Sequence, residues 1–169
     1  DNTTTSRYVP TLVNTSGLGT GAKFIDVAVG EGFSCALDNE GKAYCWGQSN
    51  YGQLGNNTTV SKYVPTAIDT TNLGTGAKFV SIYAGNYSAC GIDSNGKAYC
   101  WGVNSFGSVG DNTTTQRNVP KAVYTDHLST GVKFVFLAVS RRNSSTCGID
   151  SNGKAYCWGY NATGQIGDN

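Results

Sequence analysis

The 169-residue sequence contains no methionine and a single histidine, and charged residues make up only 14% of it. Its apolar residues occur in short runs, and none approaches the roughly 18 apolar residues of a transmembrane helix. We therefore expect no membrane span. The sequence opens without the basic and apolar segments of a secretory signal peptide. With methionine also missing at position 1, we expect a mature product or a fragment of a longer protein.

The low charge also excludes several functions. The formal net charge is +1, and no basic stripe provides the electrostatic footprint of a nucleic-acid-binding protein. The one adjacent basic pair, Arg141-Arg142, is most simply part of a solvated loop. His127 is the only residue on which a Ser/His/Asp or Cys/His catalytic set could be built, and its loop differs in the other repeats. We expect no enzyme, no cofactor and no metal.

Repetition dominates what the sequence does contain. The heptapeptide Gly41–Gly47 returns unchanged at 96–102 and again at 153–159. A glycine-rich turn, Gly52–Gly55, follows the first copy and has counterparts after the other two. In this phase the chain divides into repeats 1–55, 56–110 and 111–169, the last of which includes the start of a next repeat.

Each repeat contains four strand candidates and no segment with a helical apolar period. In the first repeat they are Tyr8–Val13, Lys23–Val29, Ser34–Leu37 and Lys42–Trp46. All three prolines fall in the first candidate or its copies at 63–68 and 118–123. Because proline cannot donate a ladder hydrogen bond, we expect this strand at a sheet edge. The pattern predicts an all-β fold of three four-stranded antiparallel units.

The order of motifs resembles a known family. Trp46-Gly47, the turn Gly52-Gln53-Leu54-Gly55, the preceding hairpin and the following Pro-x-x-Val segment are similar to the repeat of the regulator of chromosome condensation (RCC1) superfamily. The resemblance covers the whole chain and implies β-propeller blades, typically seven in a ring. Closed propellers need about four to eight blades. We therefore expect an incomplete ring, or part of a larger or assembled array.

The resemblance has limits. The loop Gly30–Ser34 departs from the family, and its third copy, Ser140–Thr146, has lost its glycine and gained two residues. Nuclear members of the family act on chromatin and a small GTPase through added loops and a basic tail. Neither feature is recognisable here, so we do not expect that activity.

The six cysteines form pairs around the predicted hairpin loops: Cys35 and Cys45, Cys90 and Cys100, Cys147 and Cys157. Pairing Asp38 with Lys42 places Cys35 opposite Cys45. Opposed strand residues lie about 4.5–5.5 Å apart at Cα, within disulfide reach. We predict a cross-strand disulfide in each repeat, with reduced buried thiols as the alternative. The spacing does not suit zinc. Disulfides favour an extracellular or cell-surface location.

Asn-x-Ser/Thr sequons are frequent. They begin at Asn2, Asn14, Asn56, Asn57, Asn86, Asn112, Asn143 and Asn161. Asparagine and threonine are also ordinary turn formers, so both interpretations stay open. In the first, the sequons carry N-linked glycans. In the second, they only shape turns.

The aromatic residues divide into repeated and loop positions. Trp46, Trp101 and Trp158 recur once per repeat, and we expect them to pack between blades, together with Tyr44, Tyr99 and Tyr156 on the same sheet face. Candidates for a binding surface are the loop aromatics Phe33, Tyr51, Tyr87 and Phe106.

These observations support three functional hypotheses. The first is a non-enzymatic extracellular scaffold, a unit of a surface filament, stalk or adhesin that assembles with further copies or repeats. The alternative is a protein-binding propeller module of the inhibitor or receptor type, with Arg141, Arg142 and Asn143 as the candidate binding loop. A further alternative is a carbohydrate-binding propeller that uses the loop aromatics.

Overall fold

The computed structural model of the protein describes residues 2–142 and 144–168. These residues form eleven β-strands and no helix, which confirms the all-β prediction. The strands make three separate antiparallel sheets. The sheets pack against one another in chain order and do not close into a ring.

The first two sheets have four strands and the third has three. Sheet 1 contains β1 (Phe24–Val29), β2 (Phe33–Asp38), β3 (Ala43–Gly47) and β4 (Lys62–Ala67). Sheet 2 contains β5 (Phe79–Ala84), β6 (Ser88–Asp93), β7 (Ala98–Gly102) and β8 (Arg117–Ala122). Sheet 3 contains β9 (Phe134–Val139), β10 (Ser145–Asp150) and β11 (Ala155–Gly159). Within each sheet, neighbours in sequence are hydrogen-bonded neighbours.

The proline strand completes the sheet of the repeat that precedes it. β4 pairs with β3 with Tyr44 opposite Ala67 and Cys45 opposite Thr66, and β8 pairs with β7 in the same register. Both strands are outermost in their sheets, which confirms the edge position expected from proline. The sheets therefore run from 24 to 67, from 79 to 122 and from 134 to 159, out of phase with the sequence repeats.

One predicted strand is wrong. Residues 8–13 do not form a strand, because each proline strand pairs with the hairpin before it and no described strand precedes residue 8. β11 likewise has no outer neighbour among the described residues. The local conformation of the segment nevertheless matches β4. The Thr11 hydroxyl donates to the Val9 carbonyl at 3.1 Å, as Thr66 does to Val64.

Each hairpin between the second and third strands is closed by an aspartate. Asp38 Oδ1 accepts hydrogen bonds from the backbone N–H of Glu40 and of Lys42, both at 2.9 Å. Gly41 has φ +79°, which only glycine adopts without strain. This loop fixes the predicted register, in which Cys35 lies opposite Cys45.

All six cysteines are disulfide-bonded, in the pairs expected from their spacing. The bonds join Cys35 to Cys45, Cys90 to Cys100 and Cys147 to Cys157, with Cα atoms 4.0–4.1 Å apart. The first two bonds are fully buried, whereas the cysteines of the third are half-buried. Each bond joins two neighbouring strands of one sheet.

The sheets pack through two different faces. We call the face of each sheet that carries its disulfide the cysteine face, and the face that carries its tryptophan the tryptophan face. The cysteine face of sheet 1 packs against the tryptophan face of sheet 2, and sheet 2 packs on sheet 3 in the same way. Trp101 and Trp158 therefore lie between sheets, as predicted, whereas Trp46 stacks on Phe24 of its own sheet and no second described sheet covers it.

The tryptophan contact is specific. Trp101 is fully buried, and its Nε1–H donates to the Gln53 carbonyl at 3.0 Å. Trp158 donates to the Ser108 carbonyl at 2.9 Å. A Cβ atom at Gly55 would lie 2.7 Å from Trp101 Nε1. The glycine-rich turn therefore receives the tryptophan of the following sheet.

We predict that Trp101→Phe lowers the free energy of unfolding by about 2 kcal/mol, because it leaves the buried Gln53 carbonyl without its donor. The matched control is Trp46→Phe. Trp46 is half-buried, and no described residue accepts a hydrogen bond from its Nε1. Its replacement should cost well under half as much. Urea unfolding of both variants in dilute solution measures the difference, and equal losses would contradict the prediction.

Candidate functional site

The loops between the first and second strands lie side by side at one end of the sheets. The Glu31 N–H donates to the Gly85 carbonyl at 3.0 Å, and the Asn86 N–H donates to the Ser140 carbonyl at 3.0 Å. A Cβ at Gly85 would lie 2.5 Å from the Ser140 oxygen, so glycine permits this approach. We call the continuous surface made by residues 30–32, 85–87 and 140–142 the loop rim.

The third loop of the rim differs from the other two. Ser140 stands where the first two loops have Gly30 and Gly85, and its hydroxyl accepts from the Arg142 N–H at 3.2 Å. Arg141 and Arg142 are exposed, and Asn143 lies outside the described residues. The structure thus places two cations at the end of the loop rim opposite Glu31.

A groove runs along the first strands beneath the loop rim. It has a volume of about 400 Å³ and includes Val27, Ile82, Val139 and Arg141 in its lining. The first strands expose apolar side chains, among them Ile25, Val27, Val29, Val80 and Val135. The Asp26 carboxylate accepts from the Ile82 N–H at 3.3 Å and so joins sheet 1 to sheet 2.

The four aromatic residues that were predicted to lie in loops occupy different environments. Phe33 was predicted to lie in a loop, but it is the first residue of β2 and is only 3% exposed, so it is no surface candidate. Tyr51 packs against Tyr87 with ring centres 5.1 Å apart, and Phe106 packs against Tyr160 at 5.0 Å. Tyr51 and Phe106 keep exposed faces.

Electrostatic coupling links two loops of the rim. The Tyr87 hydroxyl lies 3.4 Å from Glu31 Oε1. The negative charge of Glu31 is the main cause that raises the pKa of Tyr87 above its ordinary value. This contact could not be predicted from the sequence, because the two residues are 56 positions apart and only the stacking of blades brings them together.

The aspartates that recur in each repeat stabilise the hairpin turns by accepting backbone hydrogen bonds. Asp38, Asp93 and Asp150 each accept two backbone hydrogen bonds in their turns. The Tyr44 hydroxyl lies 3.2 Å from Asp38 Oδ2, and burial together with this carboxylate raises the pKa of Tyr44 to about 12. Across residues 2–142 and 144–168, no group of three His, Cys, Asp or Glu side chains is arranged to hold a metal ion.

His127 has an aromatic neighbour. Its ring stacks on Tyr124 with centres 5.5 Å apart and planes 18° apart. Both residues line a groove of about 840 Å³ beside the free edge of β11. That groove could not be predicted from the sequence, because it depends on which sheet the proline strand joins.

The sequons occupy different environments. Asn57 and Asn112 are exposed at equivalent turns, with φ values of +62° and +61°, and Asn2 has φ +59°. Asn14 accepts from the Ser16 N–H at 3.0 Å, and Asn56 accepts from the Thr58 hydroxyl at 3.1 Å.

In two other sequons the asparagine side chain is partly buried or is engaged in hydrogen bonds. Asn86 has its Oδ1 buried. The Asn161 side chain is engaged at both ends, since Nδ2 donates to Asp168 at 3.2 Å and Oδ1 accepts from Ile166 at 3.0 Å. Asn143 lies outside the described residues.

Comparison with known families agrees with this architecture. Two sequence models described as "Regulator of chromosome condensation (RCC1) repeat" match the chain, one at residues 40–92 and the other at 24–53, 79–108 and 143–165. Together they cover more than half of the sequence. The chain belongs to the RCC1 repeat family.

Individual relatives are much longer. The chain is 28% identical over 147 residues to the human protein named "Probable E3 ubiquitin-protein ligase HERC4", covering 87% of this chain and 13% of the relative. It resembles the crystal structure of Prp20p from Saccharomyces cerevisiae with a TM-score of 0.70 and 27% identity, over 87% of this chain and 34% of that one.

An extracellular structure is also similar. The ectodomain of the receptor kinase CR4 from Physcomitrella patens matches with a TM-score of 0.53 and 27% identity, over 84% of this chain and 31% of that one. In the described part of this chain, no helix is long and apolar enough to cross a membrane.

We predict that Glu31→Gln lowers the pKa of Tyr87, because it removes the negative charge that disfavours the phenolate. Titration of ¹³C-labelled tyrosine by NMR measures the shift, and the Tyr44 resonance serves as the internal control because its pKa depends on burial and Asp38. An unchanged Tyr87 titration would show that the two loops are not in contact.

Proposed function

We propose that this chain is a non-enzymatic module that binds another protein through its loop rim. The observation that carries this proposal is the hydrogen bonding of successive loops, from Glu31 to Gly85 and from Asn86 to Ser140, into one surface. Loops held on a rigid β scaffold are the usual place for binding residues. The core of each repeat is devoted to packing, so variation in the loops can change the partner without changing the fold.

The relatives support a protein partner in general terms. The printed description of Prp20p concerns its binding to Gsp1p and histones. Those particular partners are described for Prp20p, of which this chain covers 34%. What the likeness supports is the use of an RCC1 propeller as a docking surface.

The charges of the rim favour an acidic segment on the partner. Arg141 and Arg142 are adjacent and exposed in the loop that departs most from the repeat. Arginine binds carboxylates through two parallel hydrogen bonds, which gives it direction as well as charge. The carboxylates of the repeated aspartates accept hydrogen bonds within the hairpin turns. Their structural role supports a binding function for the chain over a catalytic one.

We predict that the double variant Arg141→Glu, Arg142→Glu loses the binding of its partner, because it reverses the charge of the third loop. Affinity capture from the source organism, followed by mass spectrometry, should enrich a protein on the wild-type chain and lose it on the variant. The control is Lys121→Glu, which changes an exposed cation on β8, away from the loop rim. Equal recovery on all three chains would contradict the proposal.

A second candidate is the extracellular scaffold that assembles with further copies. The specific observation in its favour is a disulfide in every sheet, since such bonds persist in oxidising compartments. The similarity to an ectodomain is consistent with this location. Carbohydrate binding is a third hypothesis, and a glycan array tests it.

If the chain is secreted from a eukaryotic host, we predict N-glycans at Asn57 and Asn112 and none at Asn161. The first two side chains are exposed at turns, whereas Asn161 uses its Nδ2, the atom that would carry the sugar, in a hydrogen bond to Asp168. Release with a glycosidase in ¹⁸O-labelled water, followed by peptide mass spectrometry, reads each site separately. A glycan at Asn161 together with an unmodified Asn112 would contradict the prediction.

A further inference from the structure

We propose that Tyr51 and Tyr87 form an oxidative cross-linking site, at which hydrogen peroxide and a haem peroxidase join the two rings into dityrosine. The bond links the glycine-rich turn of the first repeat to the second loop of the loop rim. It therefore fastens sheet 1 to sheet 2 covalently. The inference goes beyond the binding of a partner and does not depend on it.

The two rings are in contact across the boundary between two repeats. Their centres are 5.1 Å apart and their planes are tilted by 48°, within the range of about 4.5–7 Å that packed aromatic pairs adopt. Tyr51 lies in the turn that follows β3, and Tyr87 immediately precedes β6. Because sheets 1 and 2 pack directly on each other, the contact belongs to an internal interface of the chain.

This pair differs from the other aromatic pairs because both of its members carry a hydroxyl group. Among the ring pairs formed by residues 2–142 and 144–168, only this one joins two tyrosines. In the next repeat the same turn position is Phe106, which packs on Tyr160 at 5.0 Å. A phenylalanine therefore satisfies the packing at this turn, and packing alone does not require the Tyr51 hydroxyl.

The phenolic ends of the two rings are close to one another. The charge of Glu31 is the main cause that raises the pKa of Tyr87, and the Tyr51 hydroxyl adds a smaller electrostatic contribution. Tyrosyl radicals couple at the ring carbons next to the hydroxyl group. An arrangement that brings the two hydroxyl groups together therefore also brings together the carbons that must react.

Glu31 places a proton acceptor beside Tyr87. Its Oε1 lies 3.4 Å from the Tyr87 hydroxyl. An acceptor at this position takes the phenolic proton as the electron leaves the ring. Without it, removal of the electron would produce a positively charged radical, which is less stable than the neutral one.

The reaction balances with hydrogen peroxide as the oxidant. The peroxidase removes one electron from each phenol, while the proton of Tyr87 passes to Glu31 and that of Tyr51 passes to water. The two phenoxyl radicals then form one carbon–carbon bond. Each coupled carbon loses its hydrogen as a proton and each phenolic oxygen regains a proton, which restores both aromatic rings. Overall the two tyrosines lose two hydrogen atoms, and one hydrogen peroxide becomes two water molecules.

Exposure and proximity both favour coupling within the chain. Tyr51 is 41% exposed and Tyr87 is half-buried, whereas Tyr44 and Tyr99 are buried. Folding already holds the two rings together, so coupling within one chain has a large advantage over coupling between chains. The three disulfides are typical of an oxidising compartment, which suits an oxidative modification.

The cross-link supplies a connection that the disulfides do not make. Each disulfide joins two neighbouring strands of a single sheet. The bond between Tyr51 and Tyr87 joins two sheets and fixes residues 85–87 of the loop rim relative to the turn of the first repeat. A covalent link of this kind stabilises the folded chain by restricting the unfolded one.

The test treats the 169-residue chain with a haem peroxidase and hydrogen peroxide in dilute solution. We expect a monomer that has lost two hydrogen atoms, shows dityrosine fluorescence and unfolds at a higher urea concentration than the untreated chain. After reduction of the disulfides and digestion with trypsin, tandem mass spectrometry should find peptide 43–62 joined to peptide 79–97 through Tyr51 and Tyr87.

Three substitutions of single rings test the assignment. Tyr51→Phe should abolish the cross-linked monomer and should still fold, because Phe106 occupies the equivalent turn position. Tyr63→Phe is the matched control, since Tyr63 is 58% exposed and has no ring partner among the described residues, and it should leave the yield unchanged. Phe106→Tyr should add a second cross-link, to Tyr160.

Two substitutions of Glu31 separate proton transfer from packing. Glu31→Gln keeps the size of the side chain but removes the charged acceptor, and it should slow formation of the cross-link by about tenfold. Glu31→Asp keeps a carboxylate and should recover part of the rate. Equal rates in the wild-type chain and both variants would overturn the role of Glu31.

The products decide the inference. A link between Tyr51 and Tyr87 that is lost in Tyr51→Phe and kept in Tyr63→Phe supports the cross-linking site. A treated chain in which tyrosines are joined only between molecules, or in which Tyr51→Phe yields as much cross-linked monomer as the wild type, overturns it. A treated chain that contains no dityrosine overturns it as well.

Discussion

The architecture depends on one contact between consecutive repeats, the insertion of a tryptophan into the glycine-rich turn of the repeat before it. Trp101 and Trp158 each donate to a carbonyl of that turn. Gly55 and Gly110 leave room for the indole, since a Cβ at either position would lie 2.7 Å from Nε1. The contact explains why the tryptophan and glycine motifs occur together in each repeat. Neither motif buries its partner within its own repeat, so a single repeat has no complete core.

Much of the local structure could be predicted because it depends on residues close in sequence. The hairpin loop sets the register of β2 and β3, and that register places Cys35 beside Cys45. The phase of the sheets was not predictable in the same way. A periodic pattern looks the same wherever the repeat is taken to begin, so it does not say whether the proline strand joins its own hairpin or the one before. The phase of the sheets is decided by strand pairing between residues about 20 positions apart, such as Cys45 and Thr66.

The loop rim shows a different limit of sequence reasoning. Arg141 and Arg142 could be selected because their loop departs from the repeat, and the structure places both on the surface. The contacts of Glu31 with Gly85 and Tyr87 were not predictable, because blade stacking alone brings these loops together. Phe33 was misplaced for a related reason: its loop is shorter than the sequence suggested, and the residue begins β2 in the core.

Near-identical repeats have a physical consequence for every interface between sheets. The cysteine face of one sheet meets the tryptophan face of the next, and the residues of both faces recur in each repeat. The Trp101 and Trp158 contacts with successive glycine-rich turns therefore have the same geometry, with donor–acceptor distances of 3.0 and 2.9 Å. A chain built from such repeats stacks its sheets by one rule, and each interface depends only on the two repeats that form it.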